Sequence, residues 1–251
     1  TAVTTQSLGN NLEHDTVFAA DNSLVQVDAD TYALAYRGDG FDGFISTFTI
    51  SNTGVVTAVR TQSLGNNLEH DTVFAADNSL VQVDADTYAL AYRGDGFDGF
   101  ISTFTISNTG VVTAVRTQSL GNNLEHDTDR GSGNSMVQVD ADTYALAYTS
   151  DGNDGFISTF DIAADGSSIT EVDTLEHDDV IFAQDNSLVQ VDADTYALAY
   201  NFSGGGADSG FISTFDIAAD GTITAVKTRS LGNNLEHDTG RSVHHSMVQV
   251  D

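Results

Sequence analysis

Cysteine is absent from the 251 residues, so no disulfide framework holds this chain together and thiols give no sign of its redox compartment. Basic residues are scarce. Eight Lys and Arg stand against 37 Asp and Glu, a formal charge of −29 that repels DNA, RNA and anionic membrane surfaces. Nucleic acid is therefore not an expected partner. No apolar run approaches the ~20 residues that a membrane helix needs, which argues against membrane insertion. There is no initiator Met and no signal-peptide pattern at Thr1, and Val250 and Asp251 fall inside a repeat, so the sequence reads as a mature piece or a fragment.

Apolar residues are plentiful by contrast. They make up 40% of the chain, enough to bury a core in one domain or one continuous array. The acidity suits a salty or cation-rich medium, where counter-ions or Ca²⁺ screen self-repulsion, and so points outside the cell.

Internal repetition organises everything else. Leu12-Glu13-His14-Asp15 returns at Leu68, Leu124, Leu175 and Leu235, at spacings of 56, 56, 51 and 60. Val25-Gln26-Val27-Asp28, Thr31-Tyr32-Ala33-Leu34-Ala35-Tyr36 and Phe44-Ile45-Ser46-Thr47-Phe48 follow the same period. Residues 1–56 and 57–112 differ only at Thr4 and Arg60, a recent duplication. The units run 1–56, 57–112, 113–168 and 169–222, with a half-unit at 223–251, in a single repeat domain.

Each unit reads as four short strands, Ala2 to Leu8, Ser23 to Asp28, Thr31 to Tyr36 and Gly43 to Ile50. β-branched and aromatic residues fill them, while Asp30, Gly38-Asp39-Gly40, Asp42-Gly43 and Asn52-Thr53-Gly54 supply turn chemistry. Tyr32, Leu34 and Tyr36 share one strand face, Ala33 and Ala35 the other. A bulky face and a small face, both apolar, suit a sheet packed between two neighbours. The expected fold is all-β, a β-propeller of four-stranded antiparallel blades of about 56 residues. The alternative is a β-solenoid with two coils per unit, which the dissimilar halves of each unit disfavour. The half-unit repeats only the first two strands, which an incomplete fifth blade, a homo-oligomer completing the ring, or a longer propeller would each explain.

The pattern Val-Asp-Ala-Asp-Thr-Tyr-Ala-Leu-Ala-Tyr followed by Asp-Gly-Phe-Ile-Ser-Thr-Phe resembles the tandem propeller-type repeats of large microbial cell-surface and secreted proteins. The resemblance covers essentially the whole chain. It implies an extracellular or cell-surface setting and a display or adhesion role, and it carries no catalytic residues.

Among candidate sites, Asp39 and Asp42 flank a Gly-rich turn repeated as Asp95 with Asp98 and Asp151 with Asp154. These are hard oxygen ligands of the kind Ca²⁺ takes, although turn chemistry alone accounts for them better and the fourth unit keeps only Asp208. No cofactor is required by the sequence, with Ca²⁺ as the one candidate. Glu13, His14 and Asp15 invite a zinc or acid-base reading, but on a strand His14 points away from the other two, so a corner with a partly buried, hydrogen-bonded His is preferred. Arg37-Gly38-Asp39 and Arg93-Gly94-Asp95 spell an adhesive tripeptide that the third unit loses, as chance would give. The segments ahead of Val-Gln-Val-Asp vary most, and variable loops on a constant scaffold tend to contact ligands. There Phe18, Phe74 and Phe182 could stack on sugar rings, with Arg130 and Arg241 as donors, although anchoring the loops to the core is the commoner use.

The expected function is therefore a non-enzymatic extracellular binding or structural module. It would engage a glycan, a cell-surface ligand or its own copies through many weak contacts. The alternative is a propeller-fold glycoside-acting enzyme, which needs two carboxylates at a defined separation. Near-identity of the first two units argues against one asymmetric catalytic centre.

Overall fold

The computed structural model describes residues 12–179, 183–204, 207–239 and 245–248. Its strands form four antiparallel sheets. Sheet 1 holds β1 (Ala20–Gln26), β2 (Thr31–Arg37), β3 (Gly43–Ile50) and a divided outer strand, β4 (Val56–Arg60) and β5 (Leu68–Asp71), both paired with β3. Sheet 2 repeats this with β6 (Ala76–Gln82), β7 (Thr87–Arg93), β8 (Gly99–Ile106), β9 (Val112–Arg116) and β10 (Leu124–Asp127). Sheet 3 holds β11 (Ser132–Gln138), β12 (Thr143–Thr149), β13 (Gly155–Ile162) and β14 (Ile169–Asp178). Sheet 4 holds β15 (Ala183–Gln190), β16 (Thr195–Gly204), β17 (Ala207–Ile217), β18 (Ile223–Lys227) and β19 (Leu235–Asp238). This is a β-propeller built from four-stranded blades. Up-and-down antiparallel sheets leave no place for the stacked coils of a solenoid.

The chain divides into two compact units, residues 1–90, 101–124 and 164–167, and residues 91–100, 125–163 and 168–251. Sheet 1 lies in the first, sheets 3 and 4 in the second, and sheet 2 gives residues to both.

The sequence period and the sheets are out of step. Sheet 1 starts at Ala20 and takes its outer strand from residues 56–71, past the end of the first period. The same offset employs the first part of the half-unit: Ile223–Lys227 and Leu235–Asp238 complete sheet 4 by pairing with β17. Spacing differences are also explained. The fourth unit lacks a counterpart of Gln62 to Asn67, so β14, the outer strand of sheet 3, runs unbroken where sheet 1 has a 3₁₀ turn at Gln62–Leu64. In the fourth unit the β2–β3 turn is replaced by a longer hairpin, extending β16 and β17.

Both faces of the second strand are buried, as the alternation of small and large side chains predicts. Ala33, Ala35 and Tyr36 are fully buried, as are Ala145, Leu146 and Ala147 in sheet 3. Buried hydroxyls need partners, and the threonine of Ile-Ser-Thr-Phe finds one outside its own sheet. Thr47 Oγ1 donates to the Gly110 carbonyl at 2.7 Å, and Thr103 to Gly166 at 2.8 Å, within the first unit. Thr159 donates to Gly221 at 2.6 Å within the second. Each acceptor is the left-handed glycine of the turn before the following outer strand. Ser135 and Ser187 make similar ties: Leu188 N–H donates to Ser135 Oγ at 3.0 Å and Met247 N–H to Ser187 Oγ at 2.9 Å.

Candidate functional site

Leu-Glu-His-Asp is a strand rather than a corner. In β5 and β14 its histidines, His70 and His177, are fully buried, because each ring lies over a glycine. A Cβ added at Gly43 would sit 2.5 Å from His70, at Gly99 2.4 Å from His126, and at Gly155 2.5 Å from His177. The glycine of Asp42-Gly43 thus answers to close approach, not to a turn; the positive φ angles fall at Gly40 (72°) and Phe41 (74°). The expected hydrogen bond to the imidazole is replaced by ring packing at His177, which meets Tyr200 at 4.9 Å and Phe215 at 5.8 Å, edge-on. Burial pushes His70 and His177 down to about 3, and His126 to about 4, where Asp127 partly opposes it.

The aspartate after the histidine shapes the variable loop. Asp15 Oδ1 accepts from the N–H groups of Val17 (2.8 Å) and Phe18 (3.1 Å), Asp71 from Val73 (2.9 Å) and Phe74 (3.1 Å), and Asp127 from Asp129 (2.9 Å) and Arg130 (2.6 Å). This is an Asx turn repeated in three units. It brings the loop beside the 3₁₀ turn at Asp39–Phe41 or its copies, joined by Ala75 N–H to the Phe41 carbonyl and Gly131 N–H to the Phe97 carbonyl, both at 2.9 Å.

In the first unit this junction is aromatic. Phe18 meets Phe41 at 6.4 Å and Phe41 stacks on Phe74 at 6.2 Å. The Arg37 guanidinium lies 5.5 to 5.7 Å from all three centroids and pairs with Asp21 at 3.1 Å. Two candidate ligand residues, Phe18 and Phe74, therefore hold Arg37, and the arginine of the adhesive tripeptide is engaged by its own chain.

In the third repeat the junction is polar and open. Asp129 stands where the first two units have Val17 and Val73, Arg130 where they have Phe18 and Phe74, and Asn153 where they have Phe41 and Phe97. Phe97, Asp129, Arg130, Asp151, Gly152 and Asn153 line a cleft of about 460 Å³, within the range of small-ligand sites. Arg130 Nη1 donates to Asn153 Oδ1 and Nε to Ser132 Oγ at 3.4 Å, which fixes the guanidinium on the cleft wall. Ser150 Oγ donates to Asp127 Oδ2, beneath the loop. Beside the cleft, burial raises the Asp98 carboxyl, and the charges of Asp127, Asp129 and Asp95 raise it further. Asp154 is raised in the same way, by burial and then by Asp179 and Asp151.

Of the residues singled out from sequence, the structure brings Arg130 and Asp151 into one cleft, with Asp98 beside it. Asp39 and Asp42, and Asp95 and Asp98, occupy the corresponding turns of the first two units. Among the described residues, no group of three or more His, Asp or Glu side chains is placed to hold a metal. Phe182 and Arg241 lie outside the described residues. Sequence reasoning passed over Asp129, Asn153 and Phe97. The signal was present, since Asp129 and Asn153 are departures of the third unit from the first two.

No protein-family profile and no curated protein matches the sequence. Solved structures do match. One is a protein from Bacteroides fragilis assigned as a 6-phosphogluconolactonase, with a TM-score of 0.56 and 17% identity over 81% of this chain and 55% of that one. Another is the periplasmic gluconolactonase of Pseudomonas aeruginosa, with a TM-score of 0.55 and 10% identity over 82% and 71%. A third is an endo-1,4-β-xylanase from Bacteroides thetaiotaomicron, at 0.53 and 12% over 86% and 77%. The chain spans about half the length of the first. At such identities the likeness speaks for the fold.

These neighbours overturn the expectation of a non-enzymatic module, since all three bear enzyme names. The physical premise behind that expectation also fails. Duplicated units do not exclude a single asymmetric centre when the third unit supplies an unrepeated acid, Asp129, in a cleft of its own.

No helix among the described residues is long and apolar enough to cross a membrane.

Proposed function

We propose that the chain is a propeller-fold enzyme acting on a neutral sugar derivative, a glycoside or a sugar lactone, in the cleft of the third repeat. One observation carries this reading: the cleft combines two carboxylates, Asp129 and Asp151, with an aromatic face, Phe97, and fixed hydrogen-bonding groups, Arg130 and Asn153. Hydrolysis of a glycosidic bond requires one carboxyl that gives a proton and a second that stays ionised. Asp98 suits the first part, because burial and the neighbouring Asp127 and Asp129 favour its protonated form. Asp129 and Asp151 are the carboxylates that face the bound molecule. Phe97 would carry the apolar face of a sugar ring, while Arg130 and Asn153 bond its hydroxyls. The acidic surroundings favour a neutral substrate over a phosphorylated one, given the −29 charge of the chain. An extracellular or periplasmic setting fits this acidity and the resemblance of its repeats to those of secreted proteins.

The test is a hydrolysis screen of the chain against chromogenic aryl glycosides, xylan and aldonolactones. Turnover that disappears in both Asp129→Asn and Asp151→Asn supports the cleft as the site. Turnover unaffected by either substitution, or no turnover on any neutral sugar substrate, rejects it.

A further inference from the structure

The turn at Asp39–Phe41 holds a strained side chain whose contacts with Phe18, Phe74 and Arg37 leave more than half of it exposed. Phe41 has φ 74° and Phe97 φ 76°, in the left-handed region that a residue with a Cβ disfavours. Their rings are 56% and 59% exposed, so burial does little to offset the strain. The third repeat places Asn153 there, at φ 70°, a residue that tolerates this conformation far better. A strained and exposed phenyl calls for another reason, and the second copy indicates one. Phe97, in a turn of identical sequence, is a wall of the cleft.

Around Phe41 the surface is built to present rings. Phe18, 42% exposed, stands edge-on to it, and Phe74 stacks behind. Arg37 touches all three from within and has its charge answered by Asp21, so it offers no site for an anion. The flanking groups on the same turn, Asp39 and Asp42, accept hydrogen bonds and repel negative ligands.

We infer that Phe41, supported by Phe18, is a second carbohydrate-contact surface in the first unit, which takes a neutral pyranose ring of a glycan chain and performs no chemistry on it. The apolar C–H face of the sugar lies on the phenyl, and its hydroxyls donate to Asp39 and Asp42. This surface rests on the sugar-substrate reading above but is separable from it.

The experiment measures binding of neutral xylo-, gluco- and manno-oligosaccharides to the full chain by calorimetry and saturation-transfer NMR, alongside thermal unfolding and turnover of a small aryl glycoside. Phe41→Gly is expected to weaken oligosaccharide binding about tenfold. It should also raise Tm by about 2–4 °C through relief of the left-handed strain, with small-substrate turnover unchanged. A fall in Tm would make the ring a structural anchor, and wild-type affinity in Phe41→Gly would place the binding elsewhere; either overturns the inference, as does failure of every neutral oligosaccharide to bind. Binding lost in Phe41→Gly, in a chain without turnover on any substrate, would uphold this surface and reject only the enzymatic reading.

Discussion

Sheets 1 and 3 share their strands and differ in the turns those strands hold up. Tyr36 pairs with Phe44 in one and Tyr148 with Phe156 in the other, at the same point of the same ladder. Both glycines, Gly43 and Gly155, lie under a histidine ring. Yet the β2–β3 turn of sheet 1 bears Phe41 among phenyls, whereas the corresponding turn of sheet 3 bears Asn153 bonded to Arg130 beside two carboxylates. A scaffold whose stability resides in ladders and buried rings lets a few loop positions change from aromatic to polar at little cost, and that is how a duplicated array acquires one distinctive cleft.

The largest expected difference between the two is in activity. On the substrate that the screen identifies, Asp129→Asn should lower kcat/KM by roughly 10²- to 10⁴-fold. Asp39→Asn, on the corresponding turn of sheet 1, should leave it unchanged. Equal losses in both would show that the cleft of the third repeat is not special.

Next comes the shared scaffold, where the sheets should behave alike. Gly43→Ala and Gly155→Ala each push a Cβ to 2.5 Å from a buried imidazole, and each should lower unfolding free energy by about 2–3 kcal/mol in urea titrations. A marked difference between them would mean that one histidine seat can relax.

Acid should act through the same seats. His70 and His177 titrate near 6.5 when unfolded and near 3 when folded, so their contribution is complete above pH 6.5 and is lost as pH falls towards 3. At pH 5 each should destabilise the fold by about 2 kcal/mol. The raised carboxyls Asp42 and Glu176 act in the opposite sense, so across the window from pH 6.5 to 5 the histidine part is read by difference from a His177 variant. His177→Gln should flatten the urea midpoint across that window, and an unchanged slope would contradict burial of the neutral ring.

The smallest effect is expected at the threonine ties. Thr47→Val and Thr159→Val each leave a glycine carbonyl without its donor, at about 1–2 kcal/mol.

Much of the scaffold is legible in the sequence because strand alternation is local. Thr31 to Tyr36 and Gly43 to Ile50 match β2 and β3 closely, since β-branched and aromatic runs bounded by Asp and Gly leave little choice. β1 starts earlier than Ser23, at Ala20, because a bulge with Asp21 at φ 53° extends the pairing beyond what a polar stretch suggests. Leu-Glu-His-Asp is opaque for a longer-range reason. A His-bearing segment bounded by acids looks like a corner until Gly43, in the preceding unit, is seen to vacate the space its ring fills. The cleft is half legible: Arg130 stands out as a variable loop residue, but Asp129, Asn153 and Phe97 gain meaning only once the fold sets the loop after β10 against the neighbouring turns.

The offset between the copied length and the folded sheet has a consequence for how such an array changes over generations. A junction between copies, between residues 56 and 57, falls inside β4 and so within a hydrogen-bonded ladder, rather than in a linker. Gaining or losing one 56-residue length at that junction hands each outer strand to the next inner three and leaves every ladder whole. Copy number can therefore drift without creating a bare strand edge, which would otherwise invite aggregation.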